Sequence, residues 1–204
     1  MRAVIISGGA VSDYDYVKAQ IRPEDFIVCA DSGYCHALKM GVKPDVVLGD
    51  FDSIGDLPAA VPCLRFPSRK DLTDTELAIE YARGQGFRDF LLLAATGKRL
   101  DHGMTNILLL KTIMERGENA TIIDEFNKIK MTDSRIELDE PTGSILSLVP
   151  LSDCKGVTTQ NLEYPLHEAD MYVGRGLGVS NIVTEPKAVV TLREGVLIVI
   201  VARD

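Results

Sequence analysis

Two aspartates, Asp50 and Asp52, follow the apolar segment VVLG and are separated by one residue. The segment is short and rich in β-branched residues, which predicts a buried strand. Residues i and i+2 share a face of an extended chain, so both carboxylates could point to one side, with Phe51 as a buried wedge between them. Either acid alone is equally typical of a solvated turn or a cap, and both interpretations stand at this point.

Three further acids occupy the same kind of position. Asp31 follows the apolar segment FIVCA, and Asp71 and Asp74 follow LRFPSRK. Ligands of open α/β sheets bind beyond the carboxyl ends of the strands, so we expect these carboxylates at one edge of a sheet. Carboxylates that lie close together raise one another's pKa unless they share a cation. Mg²⁺, which prefers oxygen ligands and joins carboxylates to phosphates, is the predicted ion, although Asp71 and Asp74 could equally cap a helix.

A second group of candidates lies in the segment AATGKRLDH, residues 94–102. A strand, a turn and a helix start are predicted here, and backbone amides with Lys98 and Arg99 could bind an anion. A glycine turn with a basic pair is also common in solvated loops. His102 could contact a nucleotide or transfer a proton, or it could simply cap or pack. The glycines of SGGA, residues 7–10, could approach a phosphate, although an ordinary turn is the favoured interpretation.

The pattern of residue types along the chain predicts the helices and strands that position these residues. Up to about residue 117, short β-rich runs alternate with helical stretches, a pattern typical of βαβ units and a parallel sheet. Thr73 and Glu76 form a capping box that predicts a helix over 74–83. A second helix is predicted over 102–116, with Asp101 as its N-cap and Leu108 among its core residues. Later, Glu194 and Gly195 predict a hairpin turn.

Beyond the second helix, many short β-rich segments follow without convincing helices, which predicts a sandwich or barrel. The fold class predicted is therefore α/β, with two domains. An N-terminal Rossmann-like domain with a parallel sheet spans residues 1–125. A C-terminal all-β sandwich domain spans residues 126–204, and the texture changes between residues 118 and 134.

Composition excludes several classes of function. The formal charge of −8 argues against extended contact with the backbone of DNA or RNA. The apolar runs are well short of the roughly 20 residues that span a bilayer, and the opening run is too short for a signal peptide. Four cysteines lie far apart without a CxxC pair, which predicts reduced thiols rather than a zinc or redox site. We expect a cytoplasmic protein that binds neither nucleic acid nor a membrane.

Five segments, taken in order, resemble the successive motifs of the thiamine pyrophosphokinase family: ADSGYCHAL, PDVVLGDFDSIG, KDLTDTELAIEYA, ATGKRLDHGMTNILLL and the late GVSN. The resemblance implies an enzyme that transfers the pyrophosphoryl group of ATP to the hydroxyl of thiamine. The products would be thiamine diphosphate and AMP, and Mg²⁺ would be required. The resemblance also implies a homodimer with active sites at the subunit interface, in which the first domain binds nucleotide and metal and the second binds thiamine and dimerises.

The resemblance also carries residue roles, motif by motif. Five acids would surround Mg²⁺ and the polyphosphate: Asp31, Asp50, Asp52, Asp71 and Asp74. The last four of these would form the catalytic set. ATP would be bound by Asp31, Thr96, Arg99, Asp101, His102 and Asn106, and the anion-binding interpretation of the same segment adds Lys98. Thiamine would be bound by Ser180 and Asn181. The chain departs from the motifs at Ser32, Ala94 and Lys98, where the family often has glycine.

Alternatives remain open for the chemistry. Asp71 or Asp74 is a candidate to accept the alcohol proton. A metal-dependent phosphohydrolase would use the same acids to activate water instead of an alcohol. A non-catalytic module that senses nucleotide or thiamine would bind without turnover.

Overall fold

The computed structural model describes residues 1–51, 61–66 and 71–203. The chain divides into two compact units, Met1–Glu125 and Phe126–Asp204. The first mixes helices with parallel strands, and the second is built of antiparallel strands, so the mixed α/β class is confirmed. Over the described ranges, no helix combines the length and apolar character needed to cross a membrane.

The first unit follows the predicted alternation of strands and helices. Its apolar strands are buried on both faces, as expected for a parallel sheet covered by helices. Its elements are β1 (Ala3–Ile6), α1 (Tyr14–Ala19), β2 (Phe26–Ala30), α2 (Gly33–Met40), β3 (Val46–Gly49), β4 (Cys63–Arg65), α3 (Asp74–Gly84), β5 (Asp89–Leu93), α4 (Leu100–Glu115) and β6 (Asn119–Ile123).

The strand order within this unit determines where a ligand can bind. The strands run β6-β5-β1-β2-β3-β4, and every pair is parallel. From β1 the chain proceeds through α1 to β2 on one side, whereas from β5 it proceeds through α4 to β6 on the other. The neighbours β1 and β5 therefore flank a topological switch point, where the loops after the two strands diverge and leave a crevice.

Helix α3 begins where the capping box predicts. Thr73 Oγ1 accepts a hydrogen bond from the Glu76 amide at 3.2 Å, which satisfies one of the helix's free N–H groups. Its buried face consists of Thr75, Ala78, Ile79 and Ala82. This face packs toward the sheet. Because Thr73 is the N-cap, Asp74 is the first residue of the helix.

Helix α4 differs from the prediction at both its start and its face. Its first residue is Leu100 and its N-cap is Arg99, so the prediction of Asp101 as N-cap is wrong. The Asp101 carboxylate pairs with the Arg99 guanidinium instead of capping the helix. The prediction that Leu108 is a core residue is also wrong, because Leu108 is exposed while Leu110 and Ile113 are buried.

The second unit consists of two antiparallel layers. The strands run β12-β9-β14-β7 in one layer and β11-β10-β13-β8 in the other. One hydrophobic cluster draws residues from both layers, including Leu148 and Val199 from the first and Val157 and Val190 from the second. The elements are β7 (Asn127–Thr132), β8 (Arg135–Leu138), β9 (Ile145–Pro150), β10 (Cys154–Gln160), β11 (Ala169–Met171), β12 (Asn181–Ile182), β13 (Ala188–Thr191) and β14 (Leu197–Ala202).

The turn at Glu194 and Gly195 is not the predicted hairpin. Strand β13 pairs with β8 and β10, whereas β14 pairs with β7 and β9, so the turn links two different layers. A Cβ at Gly195 would lie 2.5 Å from the Asp153 carbonyl oxygen, and its φ is +100°. Glycine here permits a close approach of two backbone segments rather than a tight hairpin.

Candidate active site

A cavity of about 830 Å³ lies at the carboxyl ends of β1, β2, β3 and β5. This is the edge where the sequence places the acidic residues, and the cavity includes the crevice at the switch point. The turns after β1 and β5 and the starts of α3 and α4 form its walls. The predicted site residues that line it are Asp31, Asp50, Asp74, Thr96, Lys98, Arg99, Asp101, His102 and Asn106.

Asp31 is the most constrained of these residues. It follows β2 in a left-handed conformation, with φ +45°, and its amide donates to the Leu48 carbonyl at 2.6 Å. Its Oδ1 atom is buried and has no hydrogen-bond partner among the described residues. Burying a carboxylate oxygen without a partner costs free energy, so a cation or donor supplied by a ligand is expected there. The residues present therefore fit a metal ion at this wall of the cavity.

Asp50 and Asp74 line the same cavity, from the end of β3 and the start of α3. Phe51 is buried as predicted, but its φ is +67°. The prediction that Asp50 and Asp52 share one face assumed an extended chain at Phe51, and that assumption is wrong. Asp52 itself lies outside the described residues.

The acids do not form a complete protein cage. In the part of the chain that the structure describes, no group of three His, Cys, Asp or Glu side chains could hold a metal ion together. Asp71 is exposed and is not part of the cavity wall. A site with few protein ligands suits Mg²⁺, which keeps water and takes oxygen ligands from substrate phosphates.

Two turns at the switch point are joined by their backbones. The Gly9 amide donates to the Ala94 carbonyl at 2.7 Å, and the Ala10 amide donates to the Thr96 carbonyl at 3.1 Å. A Cβ at Gly9 would lie only 2.0 Å from the Thr96 oxygen, so no larger residue fits. Of the two interpretations of SGGA, the favoured one, an ordinary turn, is incomplete, because this turn and the turn after β5 form one wall of the cavity. Its approach to a phosphate stays a prediction.

Two departures from the family motifs have visible structural consequences. Ala94 has φ +50°, a left-handed conformation that glycine adopts without strain. A Cβ at Gly8 would lie 2.1 Å from Ser32 Oγ, so the Ser32 side chain occupies the space beside Gly8. The chain thus keeps a glycine-like backbone at Ala94 and uses glycine at position 8 to admit Ser32.

Thr96 and Asn106 line the cavity and also support its wall. Thr96 Oγ1 donates to Asp124 Oδ2 at 2.6 Å, and Asn106 Nδ2 donates to the Ala95 carbonyl at 2.7 Å. Asn106 is buried on the inner face of α4. Both side chains therefore hold the turn after β5, and their contact with ATP remains a prediction.

The basic residues lie at the exposed mouth of the cavity. Arg99 donates from Nε and Nη2 to the two carboxylate oxygens of Asp101, at 2.9 and 2.6 Å. These hydrogen bonds hold the pKa of the Asp101 carboxyl well below its usual range. Both groups are solvated, so the pair adds little stability and can open to admit an anion. Lys98 and His102 are exposed beside it.

Sequence reasoning missed several residues that shape the site. Glu125, just after β6, accepts hydrogen bonds from the Ser12 and Asp13 amides and so fixes the loop after β1. Burial alone would raise the pKa of the Glu125 carboxyl, but these hydrogen bonds lower it. Its place at the end of a strand was a usable signal. Ser7 and Thr75 also share a buried hydroxyl contact of 2.9 Å, which no local pattern indicates.

His36 is the other missed residue. Its Nε2 lies 2.8 Å from the Gly9 carbonyl oxygen, and its Nδ1 lies 2.9 Å from the Tyr14 hydroxyl. Burial lowers the pKa of His36, although the hydrogen bond to Gly9 opposes this effect. These partners are far apart in sequence, so only the folded chain brings them together.

The two residues predicted to bind thiamine lie in the second unit. Ser180 is exposed, has φ +57°, and donates its amide to Ser147 Oγ at 3.0 Å. Asn181 is buried, and its side chain accepts from the Tyr164 amide and donates to the Tyr164 carbonyl. Asn181 therefore fixes the Tyr164 loop, and the thiamine contacts of both residues remain predictions.

Comparison with known proteins finds two family models along the chain. One, described as "Thiamin pyrophosphokinase, catalytic domain", matches residues 17–122. The other, described as "Thiamin pyrophosphokinase, vitamin B1 binding domain", matches residues 133–197. The two matches fall on the first and second units respectively.

Individual relatives agree with these matches. The thiamine pyrophosphokinase of Bacillus subtilis (strain 168) is 30% identical over 210 residues, which cover 98% of each chain. A crystal structure of thiamine pyrophosphokinase from Bacillus subtilis superimposes with a TM-score of 0.91 over 100% of both chains, at 24% identity. The thiamin pyrophosphokinase of Geobacillus thermodenitrificans gives a TM-score of 0.86 at 26% identity, covering 100% of this chain and 98% of the other. The chain belongs to the thiamine pyrophosphokinase family.

Proposed function

We propose that the chain is a thiamine diphosphokinase (EC 2.7.6.2), which transfers the pyrophosphoryl group of ATP to the thiamine hydroxyl and releases AMP. Family membership gives the activity, and one observation connects it with the site. Asp31 directs a buried, unpartnered carboxylate oxygen into a wall shared with the glycine turns. A cation-dependent anion site explains this atom better than a solvated turn does.

We assign the binding of nucleotide and metal to a Rossmann-like domain over residues 1–125. The six-stranded order with a switch point between β1 and β5 supports this assignment. We assign thiamine binding and dimerisation to a β-sandwich domain over residues 126–204. Its two antiparallel layers around one hydrophobic cluster support that assignment.

The acidic residues are the proposed Mg²⁺ site. Asp31 and Asp50 would hold the ion from the ends of β2 and β3, with Asp52, Asp71 and Asp74 completing the predicted set. When bound, Mg²⁺ neutralises charge on the polyphosphate oxygens. The few protein carboxylates on the described wall leave coordination positions for those oxygens.

ATP would occupy the cavity, whose volume of about 830 Å³ lies in the range of small-molecule sites. Backbone amides at the start of α4, with Lys98 and Arg99, would contact phosphate oxygens. Arg99 would exchange Asp101 for the phosphate, because both side chains are exposed and their pairing is weak. His102 and Thr96 would lie along the nucleotide.

Of the two candidates for accepting the alcohol proton, we favour Asp74. Asp74 lines the cavity at the start of α3, whereas Asp71 is exposed and does not line it. A general base must come within hydrogen-bond reach of the hydroxyl it deprotonates. The first position of α3 satisfies this condition more readily.

We propose a homodimer with thiamine at the subunit interface. On α4, Leu100, Met104 and Leu108 recur at intervals of four residues and are 75%, 50% and 43% exposed. Residues four apart lie on one face of a helix, so they form an apolar stripe on the surface. Apolar patches of this kind mark interaction surfaces, and the β-sandwich domain of a second copy, to which dimerisation is assigned, would cover this one.

We also propose a cytoplasmic location. The four cysteines, all within the described ranges, are free thiols, as expected in a reducing compartment. The acidic net charge supports the absence of nucleic-acid partners.

One assay tests the function. Purified protein is incubated with thiamine and Mg-ATP, and AMP, ADP and thiamine diphosphate are quantified. We expect AMP and thiamine diphosphate to form in equal amounts, and only when thiamine is present. ADP as the product would contradict pyrophosphoryl transfer, thiamine-independent phosphate release would indicate the phosphohydrolase, and binding without turnover would indicate the sensing module.

A further inference from the structure

We propose that His36 is a positioning residue for the cavity wall formed by the turns after β1 and β5. It would act through the carbonyl group of Gly9. The inference rests on the proposed function, because the wall is assigned to ATP. His36 itself does not line the cavity. It lies on α2, behind the turn after β1, and it is this turn that lines the cavity.

The geometry fixes the roles of the imidazole nitrogens. The Gly9 carbonyl oxygen can only accept, so Nε2 of His36 donates to it across 2.8 Å. In the neutral ring Nδ1 then accepts from the Tyr14 hydroxyl, 2.9 Å away. The Tyr14 and His36 rings are 5.8 Å apart between centroids. Tyr14 therefore holds the ring in the tautomer and orientation that serve Gly9.

One planar peptide transmits this contact to the cavity. The Gly9 carbonyl and the Ala10 amide belong to the same peptide unit, which is rigid. His36 binds the carbonyl of this unit, and the Ala10 amide donates to the Thr96 carbonyl at 3.1 Å. Rotation of the peptide would break both bonds together. His36 thus fixes the turn after β1 against the turn after β5.

Neighbouring contacts leave this peptide dependent on His36. Glu125 fixes the same loop further along, at the Ser12 and Asp13 amides. The Gly9 amide is fixed by Ala94. Because glycine restricts its backbone least of all residues, the orientation of the Gly9 carbonyl relies on His36 together with the hydrogen bond from the Ala10 amide to Thr96.

Two substitutions at this position separate positioning from bulk packing. His36→Gln places a donor near the Nε2 position, whereas His36→Asn places its amide near Nδ1 and cannot reach Gly9. Calorimetric titration with Mg-ATP should show a Kd raised about five- to tenfold in His36→Asn and within about twofold of the parent in His36→Gln. In steady-state assays the KM for Mg-ATP should rise in parallel, while the KM for thiamine stays within about twofold.

Two further variants complete the test. His167→Asn makes the same substitution at an exposed histidine and should leave the Kd for Mg-ATP unchanged. Tyr14→Phe removes the hydroxyl that orients the ring and should raise the Kd about two- to threefold. If His36→Asn does not fold, the Kd of the Tyr14→Phe variant for Mg-ATP tests the positioning role in its place. An unchanged Kd in folded His36→Asn, or equal losses in His36→Gln and His36→Asn, would overturn the inference.

The readouts keep this inference separate from the proposed function. If the parent protein binds Mg-ATP but forms no thiamine diphosphate, the proposed function fails and the Kd values still judge His36. If the parent protein makes AMP and thiamine diphosphate while the His36 variants bind Mg-ATP alike, only the positioning role fails.

Discussion

Asp31 combines two unfavourable features at one residue. Its backbone is in the left-handed region, and one oxygen of its carboxylate is buried without a partner in the described part of the chain. Each feature costs free energy in the isolated protein. Asn tolerates the same backbone conformation and has the same shape without the charge. Substitution of Asp31 by Asn can therefore separate the effect of the charge on stability from its effect on metal binding.

We expect Asp31→Asn to keep or raise the melting temperature of the apoprotein while reducing kcat at least about 100-fold. Removal of the negative charge from a carboxylate with one buried, unpartnered oxygen explains the first effect, and loss of a metal ligand explains the second. Thermal denaturation with and without Mg-ATP measures both, because the ligand should stabilise the parent more than the variant. Asp89→Asn, at the exposed amino end of β5, should match the parent in both assays. A fully active Asp31→Asn protein would refute the metal role.

The glycine turn gives a steric prediction. Gly9→Ala should destabilise the protein by about 1–3 kcal/mol and abolish Mg-ATP binding, because its Cβ would meet the Thr96 carbonyl oxygen at 2.0 Å. Urea unfolding measures the first effect and calorimetry the second. Gly84→Ala is the matched control, since nothing lies within 4 Å of its Cβ at the end of α3. That substitution should stabilise the protein by about 0.5–1 kcal/mol.

His36 also predicts a dependence of stability on pH. Burial lowers its pKa below the ordinary value of 6.5, with Lys39 lowering it further and the Gly9 carbonyl and Glu125 opposing. The unfolded chain therefore takes up a proton first as the pH falls through 6.5, and the contribution of neutral His36, complete above that value, is lost below it. Melting temperatures should fall more in the parent than in His36→Gln between about pH 7.5 and pH 5.5. Parallel curves would contradict this expectation.

At the scale of elements, the accuracy of the sequence predictions depended on how local the determining contacts are. Thr73 and Glu76 are three residues apart, so the start of α3 was readable. The strand-end rule likewise placed Asp31, Asp50 and Asp74 at one edge, where they line one cavity. These features depend on short-range chemistry and on the regular geometry of parallel strands.

The wrong and incomplete predictions concern features that depend on contacts between residues far apart in the sequence. The helical pattern of α4 does not reveal which face meets the sheet, so Leu108 was predicted to be buried and is exposed. A two-residue turn does not reveal whether the flanking strands pair, so Glu194 and Gly195 were predicted to form a hairpin. The role of SGGA depends on the turn after β5, more than eighty residues away in the chain. No pattern within either segment encodes that contact.

The connection between α3 and β6 supports an electrostatic prediction. Arg83, in the last turn of α3, donates to both carboxylate oxygens of Glu118, which is buried just before β6. This pairing raises the pKa of Arg83. Glu118→Gln should lower the free energy of unfolding by about 1.5–3 kcal/mol, because it leaves the guanidinium with a weaker acceptor. Urea titration measures the change.

The control for this prediction is the same substitution on the surface. Glu115 pairs with Lys111 on the exposed side of α4. Glu115→Gln should change the free energy of unfolding by less than about 0.5 kcal/mol. Equal effects at Glu115 and Glu118 would show that burial of the pair contributes nothing.

At the scale of the molecule, the first unit builds its cavity from contacts across its whole length. Its last residues, Asp124 and Glu125, hold the Thr96 turn and the Ser12 loop respectively. The catalytic family model ends at residue 122, just before them. A protein truncated at that point would lose both anchors, so the folded wall requires the chain through Glu125.

The apolar stripe on α4 carries the last prediction, which concerns assembly. Met104 is the middle residue of the stripe formed with Leu100 and Leu108, so Met104→Glu places a charge at its centre. If two copies pack through this face, the buried charge should shift the protein from dimer to monomer in sedimentation velocity experiments. Leu38→Glu, at an equally exposed apolar residue on α2, should remain dimeric. A monomeric Met104→Glu protein should also show a raised KM for thiamine, since thiamine is assigned to the interface. A Met104→Glu dimer of normal stability would move the interface to another surface.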